Sequence, residues 1–217
     1  MALLVVGFFG FFFLGALYLQ GILGYDPLEV GLAFLPASIV MGTLSLGFAE
    51  RLIMGFGPRA ALIAGLASAG AGLLLFARTP VDGSYVTDIL VVMLLLGAGA
   101  GLAFPSLMTL AMSGATESDS GLASGLVNTT VQVGGAIGLA VLATLATERT
   151  DGLRAGGETT ASALNSGYHL AYLIGAALVA VAIVAALTVL RPGTVAAPQG
   201  KGDVELAAGE PAYSPAG

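Results

Sequence analysis

Three residues could do polar chemistry inside an otherwise apolar stretch: Ser124, Asn128 and Gln132, within residues 121–138. Their i, i+4, i+8 spacing puts them in one narrow stripe along a helix. An amide left unpaired in hydrocarbon is costly, so Asn128 and Gln132 must face neighbouring helices or a water-filled cavity. A serine–histidine hydrolase is excluded by placement. Ser124 and His169 each stand near the start of a helix, and the two helices run in opposite directions. That puts the pair at opposite membrane faces, whereas proton transfer needs about 3 Å. Without cysteine there is no disulfide framework and no thiolate metal site. No metal, cofactor or catalytic residue is expected, and the chain is not read as an enzyme. A second group, Glu50, Arg51 and Arg59 between Gly47 and Gly57, combines one carboxylate with two guanidinium groups. Such a turn can tie helix ends together from the headgroup region.

The elements that must position these residues are membrane helices. Of 217 residues 57% are hydrophobic and only 9% charged, well below the quarter or so typical of soluble domains. A net charge of −6 spread over loops and tail gives no reason to expect a nucleic-acid partner. Six apolar runs reach the length of about 20 residues that a bilayer core requires: 3–23, 28–49, 59–77, 86–112, 120–147 and 168–190. They are continuous rather than alternating, so they read as helices and not as barrel strands. The first Lys or Arg is Arg51, so the first run lacks the basic flank of a cleaved signal peptide and is expected to stay as a span. Thirty-three glycines and no tryptophan suit helices packed through small residues.

Along the chain, Phe8, Phe9, Phe11, Phe12 and Phe13 are expected to pack or to meet lipid rather than to form a drug pocket. Pro27 should start the second helix, and Pro36 should bend it and free a carbonyl. Ala61, Gly65, Ala69 and Gly72 form a small-residue face, and Gly97 with Gly101 a GxxxG contact, with Pro105 kinking the same helix further on. Asp119 or Ser120 should cap the fifth span. Residues 148–167 read as a long mobile loop, with Tyr168, His169 and Tyr172 as an interfacial edge beyond it. Residues 1–192 form the membrane domain, and 193–217 are expected to be a disordered cytoplasmic tail.

The charged turn resembles the loop between the second and third helices of each half of major facilitator superfamily transporters. Gly47, Glu50, Arg51, Gly57 and Arg59 match that pattern, with Glu in place of Asp and a longer gap from Arg51 to Gly57. Together with Gly24 through Pro36, Gly57-Pro58-Arg59, Gly101 through Pro105 and the 121–138 stretch, the chain is similar to the carboxy-terminal half of a fourteen-span drug:proton antiporter. The resemblance implies an all-α fold of two inverted three-helix repeats, alternating access, and a central path lined by the first, second, fourth and fifth helices. It implies Gln20, Ser124, Asn128 and Gln132 as path residues, and the Gly47–Arg59 turn as a conformational-switch element. Arg51 and Arg59 would then act in switching rather than in binding.

A multi-pass bacterial plasma-membrane protein with cytoplasmic termini follows from the same resemblance. The arginine count alone is balanced, with Arg51, Arg59 and Arg191 facing Arg78, Arg149 and Arg154. Expected partners are the lipid bilayer, a small amphipathic substrate and an amino-terminal half absent from this chain. No span carries a charge deep in the membrane, so the proton-coupling carboxylate is expected in that other half. The alternative is an inactive fragment, or a structural subunit packing against a separate transporter half.

Overall fold

The computed structural model describes residues 1–113, 116 and 118–190. Among them are six helices long and apolar enough to cross a membrane, and no strand. They are α1 (Ala2–Gly21), α2 (Pro27–Phe56), α3 (Pro58–Phe76), α4 (Tyr85–Met112), α5 (Ser120–Ala155) and α6 (Thr160–Val189). The expected tail, 193–217, lies outside the described residues.

Local chemistry sets the helix ends. Asp26 and Glu29 make a reciprocal capping box at the start of α2, with side-chain to backbone bonds of 2.8 and 2.9 Å, and Pro27 occupies the first turn. Pro36 has no N–H to continue the ladder, and α2 breaks at Phe34. The carbonyl of Ala33, in the turn before the proline, takes the Tyr85 hydroxyl of α4 at 2.7 Å. Further on, Leu44–Phe48 is π-helical, and Ala49–Phe56 returns to α geometry.

Two sequence expectations are corrected here. The charged stretch from Gly47 is not a turn: Gly47, Glu50 and Arg51 stay helical, and the reversal is confined to Gly57 at φ 83°. Glycine alone adopts that backbone readily, and Pro58 restarts the chain at once as α3. Residues 148–167 are not a long loop either. Helix α5 runs on to Ala155 and α6 begins at Thr160, whose N-cap Thr159 accepts the Ser162 amide at 3.3 Å. Low hydropathy ended the predicted span, but nothing in 148–155 breaks a helix. Thr150, 5% exposed, bonds the Ala146 and Ala163 carbonyls and joins the two extensions. Tyr168 and Tyr172 are therefore buried inside α6 rather than standing at an edge.

Small residues bring the backbones together. A Cβ on Gly65 would sit 2.7 Å from the Ala103 nitrogen and 2.9 Å from the Gly99 oxygen, so α3 and α4 touch backbone to backbone. On its other side α4 meets α2, Gly97 lying on Ala37 and Gly101 on Met41. Helix α5 meets α1 in the same way, Gly134 on Ala2 and Gly138 on Val6, and Gly167 of α6 lies on Ala146. The two halves match as inverted repeats: α2 packs on α4 as α5 packs on α1, α4 on α3 as α1 on α6, and α3 packs on α6. Helix α4 continues through Pro105 without a break.

Antiparallel neighbours fix the relative sides. Arg59 at the start of α3 reaches the last turn of α6, and Thr79 after α3 meets its second turn. Met1, Gly57, Met112 and Ser120 therefore share one face, called A, and the turns at 22–26, 77–84 and 156–159 share face B. Thiol labelling from one side should modify Asp82→Cys and Glu158→Cys together and spare Ser118→Cys. Labelling of all three from the same side would contradict the six-span arrangement.

Candidate functional site

Helix α1 is the centre of the arrangement. Its Gly7 lies against Leu73 of α3 and Gly175 of α6, which back it. Helix α5 flanks it on one side through Phe9 against Gly135. On the other side are α2 and α4, through rings. Phe12 stacks on Phe34 at 5.2 Å and 24°, and Phe8 meets Phe104 edge-on at 5.7 Å. The remaining side, carrying Phe9, Phe12, Phe13, Leu17 and Gln20, is exposed among the described residues, with Phe9 and Phe12 at its edges against α5 and α2.

The phenylalanines therefore divide. Phe8 and Phe11 pack inside, and Phe11 joins the cluster of Phe34 and Phe76. Phe9, Phe12 and Phe13, between 37% and 47% exposed, form the middle of the open strip. Offset and edge-on rings of this kind add about 0.5–1.5 kcal/mol per pair beyond burial, so the strip has a stiff floor.

Gln20 stands exposed at the B end of this strip, in the last turn of α1. Ser124, Asn128 and Gln132 are also exposed, and none of them bonds a neighbouring helix among the described residues. They lie on the side of α5 that further along carries Gly135, Gly138 and Leu142. Because Gly134 meets Ala2, the stripe lies on the face-A side of the level of Ala2. Gln20 and Gln132 are thus about 20 residues apart along the paired axes, about 30 Å at 1.5 Å per residue. The structure brings the three α5 residues together and leaves Gln20 at the opposite end, with the aromatic strip between.

The charged group also divides. Arg59 donates from Nε to the Ala186 carbonyl at 3.2 Å and from Nη2 to the Leu187 carbonyl at 2.6 Å. Those are orphan carbonyls of the last turn of α6, and a cation there also meets the negative end of the helix dipole. Arg51 is exposed, its guanidinium 6.0 Å from the Phe48 ring centre. Glu50 is exposed and forms no ion pair among the described residues. Of the group expected to tie helix ends together, Arg59 does so among the described residues, and it does so through backbone carbonyls. Gly47 is exposed within the π-helical turn, and a Cβ there would meet nothing within 4 Å.

One polar group escaped the sequence reading. On face B, Asn165 Nδ2 and His169 Nε2 both lie on the Thr79 carbonyl, at 2.9 and 2.8 Å. The i, i+4 spacing of Asn165 and His169 was a visible signal of a shared face. Their partner is a main-chain oxygen, which no residue type announces.

Residues 1–139 match the family described as Major Facilitator Superfamily. The chain is 34% identical over 174 residues to the puromycin resistance protein pur8 of Streptomyces alboniger, covering 79% of this chain and 35% of that protein. It is 38% identical over 141 residues to the cephamycin export protein CmcT of Amycolatopsis lactamdurans, covering 65% and 29%. With the lincomycin resistance protein of Streptomyces lincolnensis it shares 38% identity over 131 residues, covering 60% and 27%. The matched region spans about a third or less of each relative's length.

Proposed function

The chain belongs to the Major Facilitator Superfamily, and from that membership we propose that it forms one half of a drug efflux transporter working by alternating access. The observation that carries the reading is the open strip of α1. It is backed by α3 and α6 and flanked by α5, α2 and α4, the arrangement a half needs if its front is to wall a central path. The relatives, named for antibiotic resistance and export, support the substrate class of small amphipathic drugs. In this reading the protein lies in a bacterial plasma membrane with face A cytoplasmic, and an amino-terminal half completes the path.

The residues then take distinct roles. Phe9, Phe12 and Phe13 offer apolar and aromatic contact at mid-path, Gln20 lies at the outer mouth, and Ser124, Asn128 and Gln132 at the inner mouth. Glu50 and Arg51 are free to meet the other half during switching, while Arg59 holds α3 to α6. No charged side chain lies between residues 60 and 77, 89 and 116, or 120 and 147. Coupling to protons therefore falls to groups outside these segments.

A chimera tests the reading. Residues 1–190 replace the matching segment of the puromycin resistance protein in a drug-sensitive bacterium, and resistance should be retained. Loss of resistance at normal membrane expression would count against it. In the same chimera, Asn128→Leu should shift the pattern of drugs resisted with little loss of stability. An unchanged pattern with a lower melting point would assign the stripe to packing, at about 0.6 kcal/mol for an average membrane hydrogen bond.

A further inference from the structure

We propose that Asn165, His169 and Tyr18 act as positioning residues, forming a latch on face B that fixes the α3–α4 loop and through it the first turn of α4. Two successive carbonyls of that loop receive three side-chain donors from two helices. The Thr79 carbonyl accepts from Asn165 Nδ2 at 2.9 Å and from His169 Nε2 at 2.8 Å, and the Pro80 carbonyl accepts from the Tyr18 hydroxyl at 2.7 Å. A carbonyl only accepts, so Nε2 of His169 carries a proton. Thr79 is 2% exposed and Asn165 6%, so these bonds are shielded from water and hold firmly.

The latch has a floor and an outlet. Beneath it Phe76 stacks on Tyr172 at 4.4 Å, with Tyr18 edge-on to Phe76 at 5.5 Å. Beyond it the Ser84 amide bonds the Asp88 carboxylate at 2.8 Å, and Tyr85 ties α4 to the Ala33 carbonyl of α2. Asn165 Oδ1 is buried without a partner. The amide therefore stabilises this site through its nitrogen alone. The latch thus joins the B ends of α1 and α6 to the loop that leads into α4, whose first turn, Tyr85–Ile89, is π-helical.

The inference stands on geometry alone and does not depend on the transport reading. Hydrogen exchange of the 217-residue chain in lipid nanodiscs tests it. Asn165→Leu and His169→Leu should each speed exchange across residues 77–88 roughly tenfold, and leave 58–66 on face A unchanged. His169→Gln, whose amide nitrogen can take the place of Nε2, should restore protection. Should a leucine variant fail to fold, Tyr18→Phe removes one donor with the ring retained, and is read over the same segment. Unchanged exchange in the variants, an equal rise at both ends of α3, or a glutamine variant behaving like leucine would overturn the latch.

Discussion

Gly65→Leu is expected to prevent α3 and α4 from docking, at a cost of about 3 kcal/mol, with a matching fall in the unfolding midpoint in detergent. The reason is that its neighbours are backbone. The Ala103 nitrogen and Gly99 oxygen lie 2.7 and 2.9 Å from where a Cβ would stand, and neither can rotate away as a side-chain tip can. Gly99 faces Ala69 across the same contact, so the two helices cannot slide to a second seat. Gly55→Ala is the control. A Cβ there meets nothing within 4 Å, and the change should be neutral or stabilise by up to about 1 kcal/mol through helix propensity. Equal effects of the two substitutions would show that the α3–α4 seam is not the close contact described.

The second large effect separates two arginines that look alike in the sequence. Arg59→Ala removes both bonds to the Ala186 and Leu187 carbonyls and should lower stability by about 1.5–3 kcal/mol, the range for hydrogen bonds to a charged group. Arg59→Lys should recover only part, because an ammonium lacks the fork that spans two carbonyls. Arg51→Ala should cost no more than about 0.5–1 kcal/mol, since among the described residues it loses an exposed cation–π contact. Comparable losses at the two positions would place both in one structural cluster and remove the case for Arg51 as the free, switching residue.

Much of this was legible beforehand, and the reasons differ by element. Hydropathy located all six spans because a bilayer core demands long apolar runs whatever the packing. The small face of α3 and the Gly97–Gly101 pair were readable because only glycine and alanine admit backbones so close. Hydropathy failed at 148–167, since it measures where lipid ends and not where a helix ends. It also failed at Gly47–Phe56, where charges suggested a turn although only Gly57 has the backbone to make one. The stripe of Ser124, Asn128 and Gln132 was visible as a stripe, but its level, on the face-A side of Ala2, came from the pairing of Gly134 with Ala2. Arg59 and the Thr79 latch were hidden for another reason: their partners are main-chain oxygens, supplied by the fold.

The proposal that this chain supplies one wall of a transport path, and not the coupling machinery, has a direct test. The 217-residue chain alone is reconstituted in proteoliposomes and a pH gradient is imposed. No proton-driven accumulation of a cationic dye above protein-free vesicles is expected. Robust uptake that follows the gradient and collapses with it would overturn the proposed division between path wall and coupling groups.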